Sequence, residues 1–118
     1  MCGIAGLLYF DPQKRVEFET LQRMCDAIIH RGPDDDGFHV EGHIGIGMRR
    51  LKVIDLATGH QPISNEDGRI WIVFNGEVYN FPELRTELER KGHTFSTHTD
   101  TEAILHAYEE FGDDCVHR

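Results

Sequence analysis

The second residue of this chain is a cysteine, with Met1 before it and Gly3 after it. A small side chain at position two lets an initiator methionine be removed. Cys2 would then carry a thiol and a free α-amine on the same residue. A thiol becomes a strong nucleophile only as thiolate, so it needs a base beside it. An α-amine has an unperturbed pKa of about 8 and is partly unprotonated near neutrality. A cysteine at a chain start therefore brings its own general base, directly or through one water. Position alone leaves a second reading open, in which Cys2 is only a small residue opening a strand.

Composition limits what such a nucleophile serves. The chain has 118 residues, 39% apolar and 28% charged, ordinary for one soluble globular domain or part of one. The net charge of −9 and the lack of a basic run argue against nucleic acid or an anionic membrane as partner. No window approaches the ~20 apolar residues of a membrane span, and the start does not read as a signal peptide. Three widely spaced cysteines suit reduced thiols in the cytoplasm better than a disulfide framework. No Cys-x-x-Cys pair argues for redox chemistry.

The elements that must position Cys2 follow in order. Ile4 to Tyr9 reads as a buried strand, with Gly3 and Gly6 either admitting a close approach or easing sheet packing. Phe18 to His30 has helical spacing, with Cys25 on the core stripe. Residues 30–37 read as a loop whose acids, Asp34 to Asp36, are solvated rather than cation-binding. Phe38 to Val40 and His43 to Met48 form a hairpin turning at Glu41-Gly42. His39 and His43 would be neighbours across it. With no further ligands in view, all eight histidines are taken as non-ligands.

Arg69 to Phe74 is the strongest strand pattern and is expected to be central. Asn75-Gly76 alone reads as a hairpin turn, with Glu77 to Tyr79 returning. Asn80 and Pro82 open a helix with Leu84 and Leu88 inward and Gly92 at its end. Thr94 to Ser96 is a short strand. Thr99 and Glu102 have capping-box spacing, opening a helix with Ile104, Leu105, Tyr108 and Phe111 inward and stopping at Gly112. By that reading Asp100 only favours the helix dipole. Strands and helices mix without strict alternation, so the fold class is α+β.

Taken together, several segments resemble one family. They are Met1 to Gly6, His30-Arg31-Gly32-Pro33-Asp34 with Gly37, Arg49 to Asp55, Gln61-Pro62, Asn75 to Asn80, and Thr99 to Glu102. In this order they are similar to the amino-terminal glutaminase domain of glutamine-hydrolysing asparagine synthetases. That domain is a class II glutamine amidotransferase with the N-terminal-nucleophile fold. The resemblance covers essentially the whole chain, residues 1–118. It implies an αββα sandwich with Cys2 at the end of an inner strand.

It also implies roles. Cys2 would attack the side-chain amide of L-glutamine, with its own α-amine as base. The Asn75 side chain and the Gly76 N–H would form the oxyanion hole. Arg50 would grip the substrate α-carboxylate, a good match for a forked guanidinium. Backbone groups around Val53, meaning Leu51, Val53 and Ile54, would line the same pocket. Asp100, helped by Glu77, would hold the α-ammonium. Arg31 either orders its loop over the nucleophile or makes structural hydrogen bonds, and the structural role is favoured. Arg49 is taken as a surface or structural residue.

The family domain continues past the point where this sequence stops. The resemblance therefore implies a sandwich incomplete at its C-terminus, with bare sheet edges prone to self-association into a homo-oligomer. The synthetase domain or subunit that would receive ammonia, and bind ATP and magnesium, is absent, so no cofactor or metal is expected in this chain. The expected function is glutamine hydrolysis supplying asparagine synthesis. The alternatives are a related amidotransferase with another acceptor, or a catalytically silent interaction module.

Overall fold

A computed structural model describes residues 1–51 and 59–118. The chain divides into two compact units, Met1–Pro62 with Val73–Asn75, and Ile63–Ile72 with Gly76–Arg118. The described residues have an α+β architecture with antiparallel sheets and three α-helices.

In the first unit, strands β1 (Gly3–Leu8), β2 (Asp35–Glu41) and β3 (Ile44–Arg50) form an antiparallel sheet in the order β1-β3-β2. Helix α1 (Phe18–Ala27) packs on one face through Leu21 and Cys25, both fully buried. The glycines of β3 make this approach possible. A Cβ on Gly47 would lie 2.7 Å from Cys25 Sγ, and one on Gly45 would lie 2.9 Å from Val16. Phe18 meets Phe38 edge-on at 5.1 Å. The helix stops earlier than its apolar spacing suggests, and Ile29–Arg31 continue as one 3₁₀ turn.

The hairpin forms as expected, with both strands longer and the turn at Gly42-His43. Its register seats His39 opposite Ile46 and leaves His43 in the turn, so the two histidines are not cross-strand partners. Asp35 and Asp36 belong to β2 rather than to a solvated loop. Their loop composition is overridden by pairing with Arg50 and Arg49 on β3.

Arg49 is buried, not a surface residue. Its Nη1 donates to Asp36 Oδ2 at 2.7 Å and its Nε to the Gly32 carbonyl at 3.1 Å. Gly32 lies so close to the Arg49 backbone that any Cβ would collide with it. Arg49→Leu should therefore cost about 2–4 kcal/mol, because it strips charge-assisted bonds and leaves Asp36 without its cation. Urea unfolding checks this, and a change within about 0.5 kcal/mol, the size of an ordinary surface effect, would contradict it.

In the second unit, β4 (Ile63–Ser64) and β5 (Trp71–Ile72) make a two-residue ladder. The expected long central strand over 69–74 is thus corrected. Propensity favours a pleated, half-buried surface, but pairing also needs a partner of equal length, and β4 offers two residues. No strand returns after Asn75-Gly76, and Thr94 to Ser96 is also not a strand.

Helices α2 (Phe81–Arg90) and α3 (Asp100–Phe111) pack Leu84 and Leu88 against Ala103 and Ala107. Small residues let the two helices approach; Leu105 is buried and Phe111 packs on this cluster as expected, but the inner face also takes in Ala103, His106 and Ala107 in place of Tyr108. Ala103, Leu105, His106 and Ala107 are buried, whereas Tyr108 is 45% exposed. Asn80 occupies the N-cap of α2, but its side chain donates to the Arg118 carbonyl rather than capping the helix.

The expected capping box at Thr99 is replaced by a stronger arrangement. Glu102 Oε1 accepts from Ser96 N and Oγ, and Oε2 from Thr97 N and Oγ1, all at 2.6–2.8 Å. Four donors from the preceding loop outcompete the single Thr99 N–H, which bonds Thr97 Oγ1. Burial pushes the Glu102 carboxyl up, but the Thr97 and Ser96 hydrogen bonds outweigh it and hold it below its ordinary 4.5. A lowered folded-state pKa means the unfolded chain takes up the proton first. The stability that ionised Glu102 contributes is whole above about pH 4.5 and is lost as pH falls through the lowered value. Glu102→Gln should then flatten the fall of thermal midpoint below pH 4.5. Identical acid limbs in variant and wild type would refute the assignment.

Candidate active site

Cys2 lies one residue before β1, whose register sets Gly3 opposite Arg49. Carrying that register one step further brings Cys2 level with Arg50, the last residue of β3. The Cys2 side is half-buried, and its carbonyl accepts from Arg31 Nε and Asn75 Nδ2, each at 3.2 Å. Arg31 is set for this by the 3₁₀ turn that follows α1, which Arg49 anchors at Gly32. Its bond is to main chain, but to the main chain of Cys2 itself, so it fits both expected roles of Arg31. Cys25 is the contrasting thiol: burial pushes its pKa up, which makes it inert.

Asn75 is positioned by a route the motifs did not reveal. Gln61 is buried, and its Oε1 accepts from Phe74 N at 2.6 Å, fixing the residue before Asn75. The Gln61 carbonyl in turn packs so tightly on Gly37 that no Cβ fits there. Gln61 and Gly37 are thus positioning residues for Asn75. Their sequence signal was only membership of the family segments. The Asn75 amide has two N–H donors. One is used on Cys2, which leaves one for an incoming oxygen.

The Arg50 carbonyl accepts from Asp34 N at 3.0 Å, and its guanidinium lies over Gly59, where a Cβ would come within 2.5 Å of Nη2. Gly59, unmarked in the sequence reading, is what admits the guanidinium. Leu51 follows β3 and is 36% exposed. Val53 and Ile54 lie outside the described residues.

Gly76, Glu77 and Asp100 belong to the second unit. Gly76 and Glu77 are exposed. Asp100 begins α3, and its Oδ2 accepts from Val78 N at 2.8 Å, tying the segment after Gly76 to that helix. That explains why 77–79 does not form a return strand. The bond occupies one of several acceptor sites on the carboxylate, so the group keeps capacity for a cation. The first unit therefore brings together Cys2, Arg31, Asn75 and, by register, Arg50. The second brings Asp100 to the residues just after Gly76.

The cysteine before β1 is thus tied through its carbonyl to an asparagine amide 73 positions away, which puts a residue bearing a thiol beside a side-chain N–H donor. The comparisons show the class. The family model for the glutamine amidotransferase domain matches residues 1–118, and the chain belongs to that family. It is 46% identical over 118 residues to glutamine-hydrolysing asparagine synthetase 1 of Bacillus subtilis (strain 168), covering 98% of this chain and 19% of that protein. It is 41% identical over 116 residues to glutamine-hydrolysing asparagine synthetase 1 of Arabidopsis thaliana, covering 98% and 20%. To the root enzyme of Pisum sativum it is 38% identical over 116 residues, again covering 98% and 20%. The chain thus spans about a fifth of the length of the curated relatives it matches.

Proposed function

We propose that residues 1–118 are the N-terminal part of a glutaminase domain that hydrolyses L-glutamine and passes ammonia to a synthetase domain or subunit making asparagine. The observation that carries this is the pair of bonds from Arg31 and Asn75 to the Cys2 carbonyl. They join the nucleophile to the residue proposed to stabilise its transition state.

With Met1 removed, the Cys2 α-amine takes the thiol proton. The thiolate adds to the side-chain carbonyl carbon of glutamine. The oxygen that gains charge is met by the Asn75 side-chain N–H and the Gly76 backbone N–H. The C–N bond then breaks, and the α-ammonium returns its proton to the leaving nitrogen, releasing ammonia. A water, giving its proton to the same amine, attacks the γ-glutamyl thioester. The C–S bond breaks, and glutamate and the free thiol result. Arg50 holds the substrate α-carboxylate, with backbone at Leu51, Val53 and Ile54 beside it, and Asp100 with Glu77 holds the α-ammonium.

The proposed architecture is an N-terminal-nucleophile sandwich. In support, the sheet face opposite α1 carries Ile4, Leu8 and Ile44, each 42–53% exposed, as a face built to meet a second sheet would. ATP and magnesium would belong to the synthetase domain. The three free thiols fit work in the cytoplasm. No helix among the described residues is long and apolar enough to cross a membrane.

The test is glutamate release from glutamine by the purified chain, compared with Arg50→Lys. The α-carboxylate is remote from the reacting amide, so the guanidinium contributes binding that is equal in ground and transition states. Lysine keeps the charge but loses the fork. KM should rise roughly tenfold with kcat nearly unchanged. A lowered kcat at unchanged KM would mean that Arg50 does something else.

A further inference from the structure

Away from Cys2, the second unit gathers two imidazoles and several carboxylates around one point. Glu66, His93 and His106 each offer a ligand atom within 4.8 Å of the others. Glu109 stands between the two rings, with Oε2 2.8 Å from His106 Nδ1 and 3.7 Å from His93 Nδ1. Glu66 Oε2 is 3.9 Å from His106 Nδ1. Four ligands at the corners of a tetrahedron, each about 2.05 Å from a zinc ion, would be about 3.3 Å apart. Three of the six edges are given by these distances, 2.8, 3.7 and 3.9 Å, and they straddle that value, with Glu109 joining the Glu66, His93 and His106 group through its contacts with the two rings.

The surroundings have the form of a ligand shell. The far oxygen of each carboxylate is already held. Glu109 Oε1 accepts from Asn65 Nδ2 at 2.8 Å, and Glu66 Oε1 from Thr94 N at 3.3 Å. The Oε2 atoms are thereby turned toward the rings. The far nitrogen of each imidazole faces another carboxylate, His93 Nε2 to Glu110 at 3.2 Å and His106 Nε2 to Glu102 at 3.7 Å. His93 thus has the carboxylate on its outer nitrogen that a metal-bound histidine commonly shows, whereas the His106–Glu102 separation is too long for a hydrogen bond. His106 is 1% exposed, and its Nε2 is buried with no hydrogen-bond partner among the described residues. Lys91, on Glu110 at 2.8 Å, is the one cation paired with these four carboxylates among the described residues. The excess negative charge favours a dication.

We infer that Glu66, His93, His106 and Glu109 form a binding site for a zinc-class divalent ion. Its role is to clip α3 to the Glu66 turn and to the loop after α2. This revises the expectation that none of the histidines is a ligand. The ligands come from three separated segments, so no spacing in the sequence announces them.

The test uses the full chain, stripped with a chelator and titrated with Zn²⁺ by calorimetry and with Co²⁺ by absorption. One equivalent should bind. Cobalt should give the visible bands of a tetrahedral site without thiolate charge transfer. His93→Gln, at a partly exposed ligand, should weaken binding by at least ~100-fold. Glu110→Gln, which reaches the site only through the outer nitrogen of His93, should weaken it roughly tenfold. Circular dichroism confirms that both variants fold. No saturable binding at micromolar Zn²⁺, affinity unchanged in His93→Gln, or a thiolate band in the cobalt spectrum would each overturn the site. The histidines and carboxylates would then be plain ion pairs.

Discussion

Cys2→Ala should reduce glutamate release by ~10⁴-fold or more, the cost of deleting a covalent nucleophile from an otherwise intact site. Folding should survive. The long-range contacts at this residue run through its carbonyl, which accepts from Arg31 and Asn75, and alanine keeps that carbonyl. The thiol itself is half-buried and adds little packing. The variant also separates Cys2 from the other thiols. Cys25 is sealed beneath Gly47, and Cys115 packs beside the Leu84–Leu88 core. Cys25, so enclosed, cannot replace Cys2. Release that persists in Cys2→Ala would show that the hydrolysis does not pass through this thiol.

Asn75→Ala should lower kcat by ~10²–10³ and change KM little. In the proposed mechanism the Asn75 amide donates to an oxygen whose charge exists only as the thiolate adds, so its loss would fall on the transition state. The folded state should barely notice, because Asn75 is exposed and Arg31 still holds the Cys2 carbonyl. Asn75→Asp should be worse than alanine, since it turns acceptor oxygens toward a developing anion. Steady-state kinetics on both variants checks the order. A kcat within about threefold of wild type for Asn75→Ala would remove the side chain from the oxyanion hole, leaving at most the Gly76 N–H.

Much of the candidate site could be proposed from the sequence because its chemistry would sit on few, distinctive residues. A cysteine behind the initiator methionine, an Asn-Gly after an apolar run and an arginine pair at a strand end each have a physical meaning. Their order fixed the family. Local structure was legible where one side chain decides it, as with Gly112 ending α3 or Cys25 on the buried stripe of α1. It was not legible where distant groups compete for the same backbone. Asp100 captures Val78 N, so the Asn-Gly hairpin never closes. Glu102 takes two N–H groups from residues 96 and 97, so the strand there does not form. Arg49 and Asp36 pair across two strands, which makes an apparent surface charge a buried one. Gln61 supports Asn75 through Phe74, a link between residues 13 apart that no periodicity encodes.

The central claim is that Cys2 becomes a free N-terminal nucleophile inside an assembled glutamine pocket. It is tested most directly by intact mass, before and after exposure to a diazoketone analogue of glutamine. We predict a species that lacks Met1 and gains one adduct, mapped to Cys2 and suppressed by excess glutamine. Retained Met1 would leave the α-amine tied up in a peptide bond and would contradict the mechanism. Loss of Met1 with no adduct would contradict the pocket.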